Sequence, residues 1–216
     1  MNGKIDLTTL FNHLDQKMIL RYLHYRGQGF SEHIENLLNE AIFQVKEHSE
    51  CRYLLNKVEV RTFLKSSVYA SKDLQLHLKD AEYASLVVCT LGLEVSRKIT
   101  YLMVSRPELA TVMNAVASVA VEGLASQIHK SLGETTMRYS PGYGDLNLLV
   151  HHQWLESLDA GKKIGVHCTE GGMLMPEKSI VFIAGHEKNA KEHKKKSCIT
   201  CLMKNCIYRE KRGSSC

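Results

Sequence analysis

Apolar residues recur at helical spacing in the first quarter of the chain. A first helix is predicted within Asp15 to Tyr25, and it should stop at Gly27. A second helix is predicted after Ser31, because its hydroxyl can cap the free amides and Glu32 and Glu35 suit the positive end of the helix dipole. The apolar positions of the second helix lie three or four residues apart, as one buried face requires: Ile34, Leu37, Leu38, Ala41, Ile42 and Val45.

The period of the pattern then shortens to two. Apolar and polar residues alternate in NKVEVRTFL (56–64) and in LQLHLK (74–79), so both segments are predicted to be half-buried strands. SLVVCTLG (85–92) is a short apolar run that ends in glycine, which is typical of a buried strand. SIVFIAG (179–185) is predicted to be a further strand.

Helices are predicted again between and after these strands. They cover residues 93–104, a longer stretch that begins at Pro107, and a polar stretch around residues 146–161. Helices and strands do not alternate regularly along the chain. The predicted fold class is therefore α+β, with a mainly antiparallel twisted sheet and flanking helices.

The long helix contains the most apolar stretch of the chain, residues 109–128. This stretch approaches membrane-spanning length, but it includes Asn114, Ser118 and Glu122 and is rich in alanine, so we expect a buried helix. Two interpretations of Glu122 remain open. A carboxylate on an apolar face either reaches solvent or an arginine, or it faces a ligand.

Charge is unevenly distributed along the chain. Residues 187–216 contain nine Lys or Arg and three Glu, a net charge of +6, whereas residues 1–186 carry a net charge of −1. We therefore predict one domain over residues 1–186 and a basic, cysteine-rich tail over residues 187–216. The lysine run at 194–196 is typical of a solvated linker, so we expect no nucleic-acid partner.

The segment MRYSPGYGDLNLL (137–149) has the composition of a rigid ligand-binding loop. Pro141 fixes a backbone angle, and the glycines around it allow a tight turn and the close approach of a ligand. Arg138 presents a planar fork suited to a carboxylate or phosphate, while Tyr139 and Tyr143 offer ring faces and hydroxyls. Such a set suits a small ligand with an anionic group and a cationic or aromatic group. A tight turn with a surface arginine explains it equally well.

RYSPGYG (138–144) resembles the Arg-x-x-Pro-Gly-Tyr signature of the activation domain of cobalamin-dependent methionine synthase, which binds S-adenosylmethionine. The resemblance spans most of residues 5–185 and includes no cobalamin, folate or homocysteine module, so we expect a stand-alone version of that domain. Other stretches match the family in the same order along the chain: KIDLTTLF (4–11), YASLVVCTLGLE (83–94), AVASVAVEGLASQIH (115–129) and TEGGMLMPEKSI (169–180).

The resemblance implies a protein that binds S-adenosylmethionine and supports reactivation of the Co(II) corrinoid of a separate cobalamin-dependent methyltransferase, as in methionine synthesis. One-electron reduction to Co(I), followed by methyl transfer from the sulfonium, would trap the metal as methylcobalamin. The chain would thus be a methyltransferase-class component that acts with a partner subunit. The expected partners are a cobalamin-binding protein or methyltransferase, and a flavodoxin or ferredoxin-type electron donor.

The resemblance also implies site residues. Arg138 would bind the ligand's carboxylate, and Tyr143, the expected catalytic residue, would lie near the sulfonium or the corrin face. Asp6 matches an aspartate that contacts the ligand's amino end, and Glu170 matches a Thr-Glu pair that could orient the loop. The remaining predicted cofactor-binding residues are Tyr139 and Gly142.

The cysteines of the tail have the spacing of a metal site. Cys198 and Cys201 can hold one ion from a single turn, and the thiolate of Cys206 can complete a face of it. A zinc or iron–sulfur site is predicted, with a disordered tail bearing free thiols as the alternative. The fourth ligand of this site is open between Cys216, Cys168, His193 and a partner.

His151 and His152 lie on a predicted polar helix and are expected at the surface rather than on a metal.

The first residues, MNGKIDLTTL, contain no basic segment followed by an apolar run, so we expect no secretory signal. A cytoplasmic location without membrane attachment is predicted, and clustered thiols there indicate metal or redox chemistry. One alternative function remains open. The chain could be a non-catalytic binding or regulatory module with a metal-binding Cys-rich tail.

Overall fold

The computed structural model describes residues 2–4, 7–25, 31–66 and 71–186, which form helices around two antiparallel sheets. The strands are β1 (Asn2–Lys4), β2 (Arg52–Glu59), β3 (Tyr83–Thr90), β4 (His167–Cys168), β5 (Leu174–Met175) and β6 (Ser179–His186). The helices are α1 (Leu7–Asn12), α2 (Gln16–Tyr22), α3 (Glu32–His48), α4 (Val60–Ser66), α5 (Lys72–His77), α6 (Leu93–Ser105), α7 (Pro107–Ser131), α8 (Val150–Leu158) and α9 (Ala160–Ile164).

The larger sheet has the strand order β1-β2-β3-β6, and every neighbouring pair is antiparallel. Seven consecutive residues of β3, 84–90, are buried, which agrees with a central strand covered on both faces. Beyond β6, the segment 135–139 continues the sheet through isolated bridges from Thr135 to His186 and from Tyr139 to Ile183. This segment leads directly into the loop within residues 137–149.

Helices cover both faces of the sheet. On one face α1, α2, α3, α6 and α7 pack against side chains such as Val87 and Phe182. On the other face α5, α8 and α9 pack against side chains such as Val88 and Ile183, which alternate with the first set along the same strands. The predicted α+β class with a mainly antiparallel sheet is confirmed.

The long helix α7 runs through the larger of the two hydrophobic clusters. It is long and apolar enough to span a membrane, but 67% of its most apolar window is buried within the protein, as in a core helix. Its polar residues meet partners at the sheet edge. Lys178, which directly precedes β6, donates to Asn114 Oδ1 at 2.6 Å and to Ser118 Oγ at 3.1 Å, and burial lowers the pKa of this lysine.

Helix starts in the first half of the chain follow the sequence signals. Ser31 caps α3, with its Oγ 3.4 Å from the amide of Ile34, and Asp15 caps α2 through the amide of Met18 at 3.1 Å. The predicted apolar face of α3 is buried at Leu37, Leu38, Ala41 and Val45.

Residues 74–79 were predicted to be a strand, and this prediction is wrong. They belong to α5 and the turn after it, in which Leu74 and Leu78 are buried four residues apart while Leu76 is 65% exposed. The side chain of Asp145, 72 residues beyond Asp73, accepts from the amides of Lys72 at 2.8 Å and Asp73 at 3.2 Å, and thereby stabilises the first turn of this helix. Ser71 Oγ caps the same turn by accepting from the amide of Leu74 at 2.9 Å, so a local cap and a tertiary contact together favour the helix.

Two other element predictions need correction. The strand predicted over residues 56–64 ends at Glu59, and helix α4 takes its second half, with the amide of Val60 bonded to Glu82 O at 3.0 Å. The helix predicted over residues 146–161 begins at Val150 and is interrupted at Asp159, whose φ of 52° is left-handed. It is also less polar than expected. Its inner face, with Trp154, packs into the hydrophobic cluster on the α5, α8 and α9 side of the sheet.

Candidate functional site

Backbone hydrogen bonds fix the start of the loop to the edge of the sheet. The amide of Thr136 donates to Gly185 O at 2.8 Å. Tyr139 and Ile183 exchange two bonds, each of 2.9 Å. Because residues 136 and 139 are both attached to β6, Arg138 between them has a defined position at the sheet edge.

The rest of the loop is a compact turn. Gly142 N donates to Leu146 O at 2.7 Å, and Leu146 N donates to Tyr143 O at 3.0 Å. Gly142 and Gly144 have φ values of 93° and 52°, which glycine adopts at least cost. Pro141 is buried, and the turn around it is compact and internally hydrogen-bonded.

A reciprocal pair of aspartates ties the loop to α5. Asp145 accepts from Ser71 Oγ and from two amides at the start of α5, while Asp73 Oδ2 accepts from the amide of Asp145 at 3.2 Å. The hydrogen bond from Ser71 and those from the amides lower the pKa of Asp145. The two carboxylates therefore act as fixed acceptors that hold the turn against the helix.

Arg138 forms an ion pair with Glu122 of α7. Its Nη2 lies 2.9 Å from Glu122 Oε2, and the exposed fractions of the two side chains are 25% and 51%. The guanidinium also lies over the ring of Phe182, 5.7 Å from its centroid. A partly exposed pair adds little to folding stability, so both groups are well placed to exchange this contact for contacts with a ligand.

Aromatic rings line the loop next to this ion pair. Tyr143 is 42% exposed, and its ring meets Tyr139 edge-to-face at 5.8 Å; the ring of Tyr139 lies 4.9 Å from that of His77. Partial burial raises the pKa of Tyr143, and the negative charge of Glu122 adds to the effect. Burial, with the charges of Asp73 and Asp145, raises the pKa of Tyr139 to about 12. Both phenols are therefore neutral at physiological pH.

Glu170 lies in the turn between β4 and β5. Its carbonyl is 3.4 Å from His152 Nε2, and its side chain is exposed. This turn packs beside the loop. Gly172 lies so close to the backbone of Leu148 that an added Cβ would be 2.6 Å from Leu148 O, and the Leu148 side chain in turn lies against Gly142. Glu170 is thus near the loop, but among the described residues its side chain makes no hydrogen bond or ion pair with Arg138, which pairs with Glu122 instead.

A cavity of about 300 Å³ opens between α1, α2 and α7. Glu122, the ion-pair partner of Arg138, is one of the residues that line it. The other lining residues combine an apolar floor with polar groups: Leu10, His13, Leu14, Asp15, Met18, Tyr22, Val119, Gly123, Ser126, Gln127 and Lys130.

The structure brings together most of the predicted binding residues: Arg138, Tyr139, Gly142 and Tyr143. Asp6 and the predicted metal ligands Cys198, Cys201 and Cys206 lie outside the described residues, as does the tail over residues 187–216. Among the described residues, no group of three or more His, Cys, Asp or Glu side chains could hold a metal ion. Glu122 belongs to this site but was not among the predicted binding residues. The sequence feature that pointed to it was a carboxylate on the apolar face of a helix.

His151 was expected at the surface, and this expectation is wrong. The side chain is buried, and its Nδ1 donates to Gly172 O at 2.7 Å. A carbonyl can only accept, so Nδ1 carries the proton. His151 therefore holds the β4–β5 turn against α8, beside the loop.

Replacement of His151 by asparagine is expected to reduce the loss of stability in acid. Burial lowers the pKa of His151 from its ordinary value of 6.5. As the pH falls below that value, unfolded chains bind a proton before folded ones do, so the free energy of unfolding decreases until the lowered pKa is passed. Asparagine keeps a donor near the Nδ1 position but does not titrate.

Urea unfolding at about pH 7.5 and about pH 5.5 measures this difference. Replacement of the exposed His33 by asparagine is the matched control and should keep the acid sensitivity of the wild type. An acid loss in the His151→Asn variant as large as that in the wild type would contradict the assignment.

No protein-family model and no curated protein sequence matches the chain. The structure is similar to a crystal structure of the MetH reactivation domain bound to AdoHcy, with a TM-score of 0.65 and 13% sequence identity. The match covers 89% of this chain and 80% of that chain. At this identity the likeness shows a shared fold, and it confirms the predicted likeness to the activation-domain fold.

Proposed function

We propose that the chain binds S-adenosylmethionine at the Arg138 loop and presents it to the Co(II) corrinoid of a separate cobalamin protein, to support reductive methylation of the cobalt. The observation that carries the proposal is the partly exposed Arg138–Glu122 pair beside the exposed ring of Tyr143. The shared fold supports it, because the similar domain is bound to AdoHcy, the demethylated form of the same ligand.

The ion pair suits the amino-acid end of such a ligand. An α-amino acid carries a carboxylate and an ammonium group on one carbon, and Arg138 and Glu122 offer the opposite charges side by side. Arg138 would bind the carboxylate through charge-assisted hydrogen bonds, and Glu122 would bind the ammonium. The salt bridge thus holds the two opposite charges side by side, where a zwitterion can bind to both.

The aromatic rings suit the sulfonium. A ring face attracts a cation by about 0.5–2 kcal/mol, and Tyr143 exposes its ring next to Arg138 and Glu122. Bound S-adenosylmethionine supplies the methyl group. The residues of the loop orient the ligand and exclude water, and positioning of this kind needs no protein nucleophile.

The surface around the loop suits a docking partner. Exposed apolar side chains lie in the loop and in the β4–β5 hairpin, and Leu148, which touches Gly142, links the loop to the turn of this hairpin. We propose that this surface meets the corrinoid-bearing partner, with a flavodoxin or ferredoxin-type protein as the electron donor and the cytoplasm as the compartment. The exposed apolar residues and their exposed fractions are Tyr143 (42%), Leu148 (38%), Met173 (61%) and Met175 (45%).

A mixture of the chain, a purified Co(II) cobalamin-binding domain, a one-electron reductant and S-adenosylmethionine tests the proposal. The absorption spectrum is expected to change to that of methylcobalamin only when the chain is present. Replacement of Glu122 by glutamine removes the charge that holds the ammonium, so we expect the change to slow by about tenfold.

Glu94 offers a matched control, because it pairs with Arg97 at 2.8 Å on α6 and is similarly exposed. Its replacement by glutamine should leave the rate unchanged. If the wild-type chain yields no methylcobalamin under these conditions, the corrinoid role is wrong, and a binding or regulatory module remains as the alternative.

A further inference from the structure

The imidazole of His129 joins α7 to the segment that carries Arg138. Its Nε2 lies 2.9 Å from Thr136 O and 3.1 Å from Thr135 Oγ1. The carbonyl of Thr136 can only accept, so His129 donates through Nε2–H. Burial lowers the pKa of His129, and the positive charge of Arg138 adds to the effect, so the ring is neutral near physiological pH.

This hydrogen bond connects the two elements that form the ion pair. Glu122 lies on α7, about two helical turns before His129. Arg138 follows Thr136 by two residues in the segment fixed to β6. The contact between His129 and Thr136 therefore helps to set the distance between the helix with the carboxylate and the segment with the guanidinium.

Phe182 provides a second link between the same groups. The His129 ring meets the Phe182 ring edge-on at 6.1 Å, with an interplanar angle of 87°. The Arg138 guanidinium lies over the same Phe182 ring, 5.7 Å from its centroid. Phe182 is fully buried, so its ring is a fixed surface for both side chains.

Other contacts hold Thr136 to the sheet and to α5, but not to α7. Its amide donates to Gly185 O at 2.8 Å, and its Oγ1 accepts from the amide of Gly185 at 2.9 Å and lies 2.9 Å from His77 Nε2 of α5. These bonds fix the segment along β6 and against α5, and none of them sets its distance from α7. The hydrogen bond from His129 to Thr136 O constrains the distance between this segment and α7.

We propose that His129 is a positioning residue of the ligand site: its hydrogen bond to Thr136 O holds segment 135–138 against α7 at the spacing that lets Arg138 and Glu122 receive the two ends of one amino-acid zwitterion. The inference rests on the proposed function for the identity of the ligand. The spacing itself is a property of the chain without ligand, and it can be measured separately.

Two substitutions of His129 test the inference. His129→Gln keeps an N–H donor near the position of Nε2, whereas His129→Leu keeps the bulk and removes the donor. By calorimetry with S-adenosylmethionine, the leucine variant is expected to bind about fivefold more weakly than the wild type, and the glutamine variant within about twofold of it. In the chain without ligand, the Arg138 Nε–H resonance, assigned by its loss in Arg138→Lys, should shift in the leucine variant and return in the glutamine variant.

His48 offers a matched control for the loss of a half-buried histidine. Its Nδ1 lies 2.8 Å from Gln44 O within α3, away from the loop, so His48→Leu should change neither the affinity nor the Arg138 resonance. The positioning role is overturned if His129→Leu leaves the Arg138 resonance unchanged, or if the leucine and glutamine variants behave alike. Failure of the wild type to bind S-adenosylmethionine would instead overturn the proposed function, and the resonance would still decide the positioning role.

Discussion

Replacement of Arg138 by alanine is expected to weaken S-adenosylmethionine binding at least tenfold. A charge-assisted hydrogen bond contributes about 1.5–3 kcal/mol, and each 1.4 kcal/mol corresponds to a factor of about ten in affinity. The loss also leaves Glu122 without its cation at 2.9 Å, so its negative charge would repel the ligand's carboxylate. Lysine at this position should recover part of the affinity, because it restores a positive charge but not the planar fork.

Calorimetry measures the effect, and Arg97 provides the control. Arg97 pairs with Glu94 at 2.8 Å on α6, so Arg97→Ala removes the same charge from a similar ion pair elsewhere. Its affinity should equal that of the wild type. If Arg138→Ala binds as tightly as Arg97→Ala, Arg138 does not hold the carboxylate.

Replacement of Gly144 by alanine is expected to destabilise the protein and to weaken ligand binding. Gly144 has a φ of 52°, and a Cβ there would lie 2.1 Å from Asp73 Oδ2 and 2.7 Å from the Tyr139 hydroxyl. Either the loop or the Asp73 carboxylate must move, and either movement breaks the hydrogen bond between Asp73 and the amide of Asp145. Backbone strain and lost hydrogen bonds together should cost about 2–4 kcal/mol of unfolding free energy.

Gly133 separates the two causes. Its φ is also positive, at 79°, but a Cβ there would meet nothing within 4 Å. Gly133→Ala should therefore show only the strain of about 1 kcal/mol in urea unfolding, with unchanged ligand affinity. An equal loss of stability in both variants would show that the contact with Asp73 does not matter.

Elements that depend on local signals were predictable from the sequence. The cap at Ser31 and the apolar spacing after it define α3, and the continuous apolar run at 85–92 defines β3. Residues 74–79 alternate like a strand, yet they form a helix whose first turn is capped by Ser71 Oγ as well as by the side chain of Asp145. The Ser71 cap is a local signal, whereas a contact between residues 72 positions apart is not.

The same distinction applies to the site. Arg138 and Tyr143 were predictable because one short segment contains both, with the glycines and proline that shape it. The partner of Glu122 could not be chosen from the sequence, since the ion pair depends on the packing of α7 beside residues 135–139. His129 gave no signal of its own, because its hydrogen bond to Thr136 O exists only after the chain has turned back along β6.

The segment 135–139 also protects an exposed margin of the sheet. A strand with unpaired N–H and C=O groups is a template for other chains, and proteins often cover such an edge to prevent aggregation. Here the bridges at Thr135 and Tyr139 occupy the outer side of β6. The residues that position Arg138 therefore also guard against self-association, and a change that releases them from β6 endangers solubility as well as ligand recognition.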